Sequence, residues 1–182
     1  MNYFAFQVKS RCEEKYLKLA RKLLNTEYRP DKIPVKLILP RRQLTIRKQG
    51  KQKTSFSPIF PGYVFIEAIS IDPSVYWLLK KINGFSRFLN KPDNVEPLIG
   101  DDKTILLHFL AFGEIVKKSM VSFDRSQKIR VKEGPMKGLE GNIIRVDKRK
   151  KRAKIALSLC QNSFLVDFGF EIIEAIENSN EK

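Results

Sequence analysis

The side chains able to do covalent or acid–base chemistry are thinly spread over these 182 residues. The one histidine, His108, falls in an apolar stretch beside Leu106, Leu107 and Phe109. A lone imidazole, with no second histidine and no cysteine at ligand spacing, makes neither a nucleophilic triad nor a zinc site. Cys12 and Cys160 are far apart and read as reduced structural thiols. Adjacent acids point in different directions, so Asp101-Asp102 read as a helix cap and Glu13-Glu14 as solvated. We therefore expect no catalytic residues, no metal, no cofactor and no enzyme activity.

Cationic side chains carry the available chemistry, and that chemistry is the binding of polyanions. Lys and Arg number 35 against 20 Asp and Glu, a formal charge of +15. Such a field makes nucleic acid the first expected partner and an anionic membrane surface the second. The charge is also segregated. Residues 36–53 hold seven bases and no acid, residues 125–154 hold twelve bases and three acids, and residues 155–181 hold five acids and no base. Within the second segment Lys148-Arg149-Lys150-Lys151-Arg152 fits a turn between two strands, where it could track a phosphate backbone. The candidate nucleic-acid residues are Lys132, Lys137, Arg145, Lys148, Arg149, Lys150, Lys151, Arg152 and Lys154. A purely solubilising role for such loops is the competing reading. Gly134-Pro135 with Gly138 and Gly141 is not a phosphate loop, because no Gly-Lys-Ser/Thr follows; Gly134 and Gly141 read as tight turns.

The elements that must position these residues follow from periodicity. Asn2 to Val8 reads as a buried strand, and Tyr16, Leu17, Ala20, Leu23 and Leu24 mark an amphipathic helix. A break at Arg29-Pro30-Asp31 precedes an extended stretch from Ile33 to Ile46 and a basic hairpin with its tip at Lys48-Gln49-Gly50-Lys51. Tyr63-Val64-Phe65-Ile66 has the continuous apolar character of a central strand. Asp72 and Pro73 start a helix through Lys81, Phe85 to Leu89 forms a further strand, and Lys103 to Phe112 a last helix. Beyond a polar stretch only short strands remain: Ile129–Lys132, Gly141–Val146, Ala153–Leu159, Ser163–Phe168 and Glu171–Ile176.

The fold class expected is an α+β N-terminal domain, an antiparallel sheet flanked by helices, joined by a linker to a small five-stranded β-barrel. The boundaries are residues 1–113 for the first domain, 114–127 for the linker and 128–178 for the barrel. Each basic hairpin is expected to project from its own domain. The longest uncharged stretch, Thr54 to Ile66, contains two prolines and falls short of the roughly 20 apolar residues that span a bilayer. With no signal peptide and no basic amphipathic helix for a membrane surface, the expected location is the cytoplasm.

Two stretches carry a family resemblance. Ile59-Phe60-Pro61-Gly62-Tyr63-Val64-Phe65-Ile66-Glu67 resembles the Phe-Pro-Gly-Tyr strand of the N-terminal domain of the NusG family. The stretch from Lys128 to Ile144, with its Gly134-Pro135 and Gly141, resembles a KOW motif, and Asn83 to Leu89 also fits the family pattern. Within the family the basic Val146–Ala153 segment is similar to the specialised antiterminator branch, LoaP. The resemblance implies a monomeric transcription elongation and antitermination factor whose N-terminal domain binds the clamp helices of the large RNA polymerase subunit through an apolar patch. By position that patch would use Tyr3, Phe60, Pro61, Gly62, Tyr63 and Phe85, although residue type alone favours ordinary core for them. The KOW barrel would bind a leader RNA hairpin, or a ribosomal or termination protein. A general NusG-type elongation and termination factor and a ribosome-associated KOW protein are the alternatives.

Overall fold

The computed structural model describes residues 1–27, 34–89 and 95–173. In chain order the first elements are β1 (Asn2–Val8), α1 (Glu13–Glu27), β2 (Lys36–Ile38), β3 (Arg41–Lys48), β4 (Lys51–Pro58), β5 (Tyr63–Ala68), α2 (Pro73–Lys80) and β6 (Phe85–Phe88). They are followed by α3 (Gly100–Leu110), β7 (Ile115–Val116), β8 (Ser119–Phe123), β9 (Ile129–Glu133), a 3-10 turn at Glu140–Asn142, β10 (Ile143–Asp147), β11 (Arg152–Leu159) and β12 (Asn162–Ile172). The chain forms two compact units, Met1–Pro40 with Pro58–Leu107, and Arg41–Ser57 with His108–Lys182.

The first unit is built on a four-stranded sheet in the order β2-β5-β1-β6, with β5 and β1 central. β1 pairs antiparallel with β5 from Asn2↔Ala68 to Gln7↔Tyr63. Alternation along a strand sends Phe4, Phe6 and Val8 to the same face as Val64, Ile66 and Ala68. There they meet Tyr16, Leu17, Ala20 and Leu24 of α1 and Val75, Leu78 and Leu79 of α2 in one buried cluster. Each of these large side chains contributes about 1.5–3 kcal/mol by leaving water. α2 starts where expected: the Asp72 carboxylate accepts from the Ser74 amide at 2.7 Å and Pro73 occupies the first turn. α3 starts at Gly100, three residues earlier than periodicity suggested, so Asp101 and Asp102 lie inside its first turn, where the helix dipole still favours them.

The second unit holds a five-stranded sheet in the order β10-β11-β12-β8-β9 and a three-stranded one in the order β4-β3-β7. Its membership differs from expectation in two places. The stretch 114–127, read as a linker, contains β7 and β8; Ser119, Val121 and Ser122 are buried, and Ser119 pairs with Phe170 of β12. Three serines and two lysines in that stretch mask a strand in any count of polarity. Glu171–Ile172, expected to open a fifth strand, instead continues β12, so β8 is the fifth strand of this sheet. The remainder of the expected Glu171–Ile176 strand, from residue 174 on, lies outside the described residues, as does the Arg29-Pro30-Asp31 break. Gly134 has φ +97°, and a Cβ there would stand 2.7 Å from Ser119 Cα, so a turn without a side chain is required. Gly141 is different: it lies in the 3-10 turn, but nothing lies within 4 Å of a Cβ built on it and its φ is not positive, so that turn does not require glycine.

Candidate nucleic-acid interface

The run Lys148–Lys151 forms the turn between β10 and β11, closed by the Lys151 amide donating to the Lys148 carbonyl at 3.2 Å. Asp147 holds that turn: its carboxylate accepts from the Lys150 amide at 2.9 Å. This hydrogen bond is the main reason the carboxyl is held below its ordinary value; desolvation opposes it, and the charges of Lys150, Arg149 and Arg145 each add a smaller lowering. All four side chains of the turn are exposed. Lys148 reaches back over the Phe123 ring, its ammonium 4.1 Å from the centroid, and bonds the Gln127 carboxamide. Arg145, Arg152 and Lys154 flank the turn, so seven of the nine expected nucleic-acid residues are gathered around β10 and β11. Lys132 on β9 and Lys137 in the turn after it are exposed but belong to the other edge of the hydrogen-bonded order.

The β3–β4 hairpin joins this unit, contrary to the expectation that it would project from the N-terminal domain. Arg41 and Arg42 pair in parallel with Ile115 and Val116 of β7. Arg42 Nε donates to the Asp167 carbonyl at 2.6 Å, and Arg152 Nη2 donates to the Thr45 carbonyl at 2.6 Å. Burial lowers the pKa of the Arg42 guanidinium; the Asp167 charge opposes that and Arg152 adds to it. Between hairpin and turn runs a groove of 490 Å³ whose walls include Arg47 and Gln52 on one side and Arg149, Lys150 and Arg152 on the other. Sequence reasoning missed Arg47 and Gln52 as partners of the turn. The basic composition of residues 36–53 was a signal of affinity for anions, but contacts spanning 107 and 125 residues leave no local trace.

The N-terminal candidates do not form one exposed patch. Phe60 and Tyr63 are 1% and 4% exposed, Phe60 packing edge-on against Phe65 at 5.8 Å. Tyr63 and Tyr3 lie on the sheet face opposite the helix-covered cluster. Gln7 Nε2 donates to the Tyr63 hydroxyl at 2.7 Å, Arg87 Nε donates to Gln7 Oε1 at 2.9 Å, and the Tyr3 hydroxyl donates to Glu67 at 3.2 Å. Burial, then the Glu67 charge and this hydrogen bond, raise the Tyr3 pKa. Phe85 is separate, packing beside Phe6 at 5.8 Å in the helix-covered cluster. Pro61 is exposed, and Gly62 is buried with φ +82°.

Gly62 explains a residue the sequence reading placed in solvent. Its amide donates to Glu13 Oε1 at 2.7 Å, and its carbonyl accepts from the Val8 amide at 2.8 Å. Glu13 is 4% exposed, in the first turn of α1. The carboxylate thus ties the Phe60–Tyr63 turn to the start of α1, where the helix dipole also favours a negative charge. His108 is held by its Nε2 at 2.8 Å from the Pro135 carbonyl and by rings of Phe109 and Phe112.

Comparison with known proteins accounts for this combination. The family described as "Transcription termination factor nusG" matches residues 1–105, more than half of the chain. The "Transcription termination/antitermination protein NusG" of Bacillus subtilis is 24% identical over 177 residues, covering 96% of this chain and 98% of that protein. The protein of the same description from Borreliella burgdorferi is 28% identical over 139 residues, 71% of this chain and 74% of that one. A solved structure described as "Domain interaction in Thermotoga maritima NusG" superposes with a TM-score of 0.60 at 18% identity, covering 92% of this chain and 93% of that one, which is a likeness of fold. With more than half of its length matched by the family and relatives aligned along nearly all of it, this chain belongs to the NusG family of transcription factors.

Proposed function

We propose that this protein is a specialised antitermination factor, similar to the LoaP branch, that rides on RNA polymerase and is recruited by RNA. The observation that carries the reading is the exposed Lys148–Lys151 turn, four adjacent cations on one β-turn braced by Asp147. Four fixed cations at the spacing of a turn suit phosphates and give salt-dependent binding. The N-terminal unit would dock on the clamp helices of the large polymerase subunit. Pro61, Tyr3 and Arg87 supply surface for that contact, whereas buried Phe60 and Tyr63 would support it from beneath and Gly62 would shape the turn. Phe85 would act only through its packing on Phe6.

Co-purification of the tagged full-length protein from its native cell, scoring polymerase and RNA together, tests this reading. Polymerase with one enriched leader RNA supports it. Polymerase without a preferred RNA reduces the protein to a general NusG-type factor, and ribosomal particles without polymerase overturn the transcriptional role.

A further inference from the structure

Two hollows flank Arg152, and their charges differ. The smaller, of 130 Å³, is lined by four cations, Arg145, Lys150, Arg152 and Lys154, and by two carboxylates, Asp147 and Asp167. There the compensation is already made: Lys150 lies 3.8 Å from Asp147 and Lys154 lies 3.9 Å from Asp167. The larger, of 490 Å³, shares Lys150 and Arg152, adds Arg47 and Arg149, and among the described residues has no acid in its lining. Its walls are also tied together. Arg152 spans them through its bond to the Thr45 carbonyl, and its buried Nε has no hydrogen-bond partner among the described residues. With Lys150 already facing Asp147, the three arginines Arg47, Arg149 and Arg152 leave the lining with excess positive charge that an entering anion would meet.

The lining also says which kind of polyanion fits. Single-strand channels stack successive bases on aromatic rings, and among the described residues no aromatic lines this groove. Thr45 and Gln52 add polar groups beside the cations, suited to sugar hydroxyls and phosphates rather than to base faces. A paired RNA presents ordered phosphates and 2′-hydroxyls to such walls.

We propose that this groove binds the sugar–phosphate backbone of a double-stranded RNA stem, with Arg47 and Gln52 of the β3–β4 hairpin forming one wall and Arg149, Lys150 and Arg152 the other. The proposal rests on the RNA-binding reading above and extends the site to a hairpin far from β10–β11 in sequence.

The test is equilibrium binding by the full-length protein of a paired RNA stem-loop, a single-stranded oligouridine and the DNA duplex of the stem's sequence, each across a salt series. The variants are Arg47→Ala, Arg149→Ala, the double variant and Arg47→Lys. Arg47→Ala is expected to bind the stem-loop about fivefold more weakly at roughly 0.15 M salt and to flatten the salt slope by about 0.9, the signature of one lost phosphate contact. Arg47→Lys should restore most of both, because the charge returns. Arg47 is exposed, so its loss should leave the unfolding midpoint unchanged. Wild-type affinity and slope for Arg47→Ala, with loss for Arg149→Ala, would overturn the two-walled groove and leave the RNA reading standing. No loss in any variant, nor on reversing the whole Lys148–Lys151 turn, would overturn the RNA reading itself. Oligouridine or DNA duplex bound as tightly as the stem-loop would overturn the assignment to paired RNA.

Discussion

The Phe60–Tyr63 turn and the Lys148–Lys151 turn are opposites in construction. The first is apolar and, Pro61 apart, buried, with a hydrogen bond from an amide to a carboxylate at its centre; the second is cationic and exposed, with the same kind of bond at its base. In the first, Glu13 draws the turn inward onto a helix; in the second, Asp147 braces the backbone while the side chains stay in water. The contrast shows that this recognisable motif is largely buried, with Pro61 its exposed residue. A motif can persist in a sequence because the backbone path it makes is what presents neighbouring residues.

Changes to the buried turn should therefore appear as lost stability before they appear as lost binding. The largest effect is expected for Phe60→Ala, about 3–5 kcal/mol of destabilisation read by urea unfolding, because a fully buried ring leaves a cavity. A loss below about 1 kcal/mol would break the comparison and return Phe60 to the role of a surface contact. Next comes Gly62→Ala, expected to cost about 1–3 kcal/mol: its φ of +82° is strained for alanine, and the new Cβ would stand 3.0 Å from Ser10 Oγ. Unchanged stability in that variant would show that the turn relaxes freely. Glu13→Ala should cost about 1.5–3 kcal/mol, the range of a hydrogen bond to a charged group, and Glu13→Gln should recover part of it. Equal losses in the two variants would mean that the carboxylate charge, and not the acceptor alone, holds Gly62.

The smallest effect belongs to the exposed turn and to pH. Asp147 is held below its ordinary value, so its contribution is fully present above about 3.9, the unfolded carboxylate value, and is lost as pH falls through the lower folded value. An NMR titration following the Lys150 amide should show its hydrogen-bonded shift persist to a pH below 3.9 and then disappear. A midpoint above 3.9 would contradict the bracing role.

Much of the scaffold was legible in the sequence. β1, α1, β5 and α2 announced themselves through apolar periodicity and through Asp72-Pro73, because those signals are local. β8 did not, since Ser119 and Ser122 are polar residues buried by hydrogen bonding and close packing, the Ser119 hydroxyl accepting from the Met136 amide at 3.0 Å. The basic turn was readable as composition plus turn signals. Its partner wall was not, because Arg47 is brought to it by long-range ties: the parallel pairing of β3 with β7, the Arg42–Asp167 bond and the Arg152–Thr45 bond. Glu13 escaped for a related reason: nothing in a Glu-Glu pair tells which carboxylate faces a buried amide 49 residues away.

The central claim is that the exposed basic turn meets the phosphates of RNA. Its most direct test is the salt dependence of RNA binding by the full-length protein and by a variant with Lys148, Arg149, Lys150 and Lys151 all changed to Glu. The account predicts a wild-type slope steeper by about 3.6, four contacts at about 0.9 each, with the variant as stably folded as wild type. Superimposable slopes for the two proteins would contradict it.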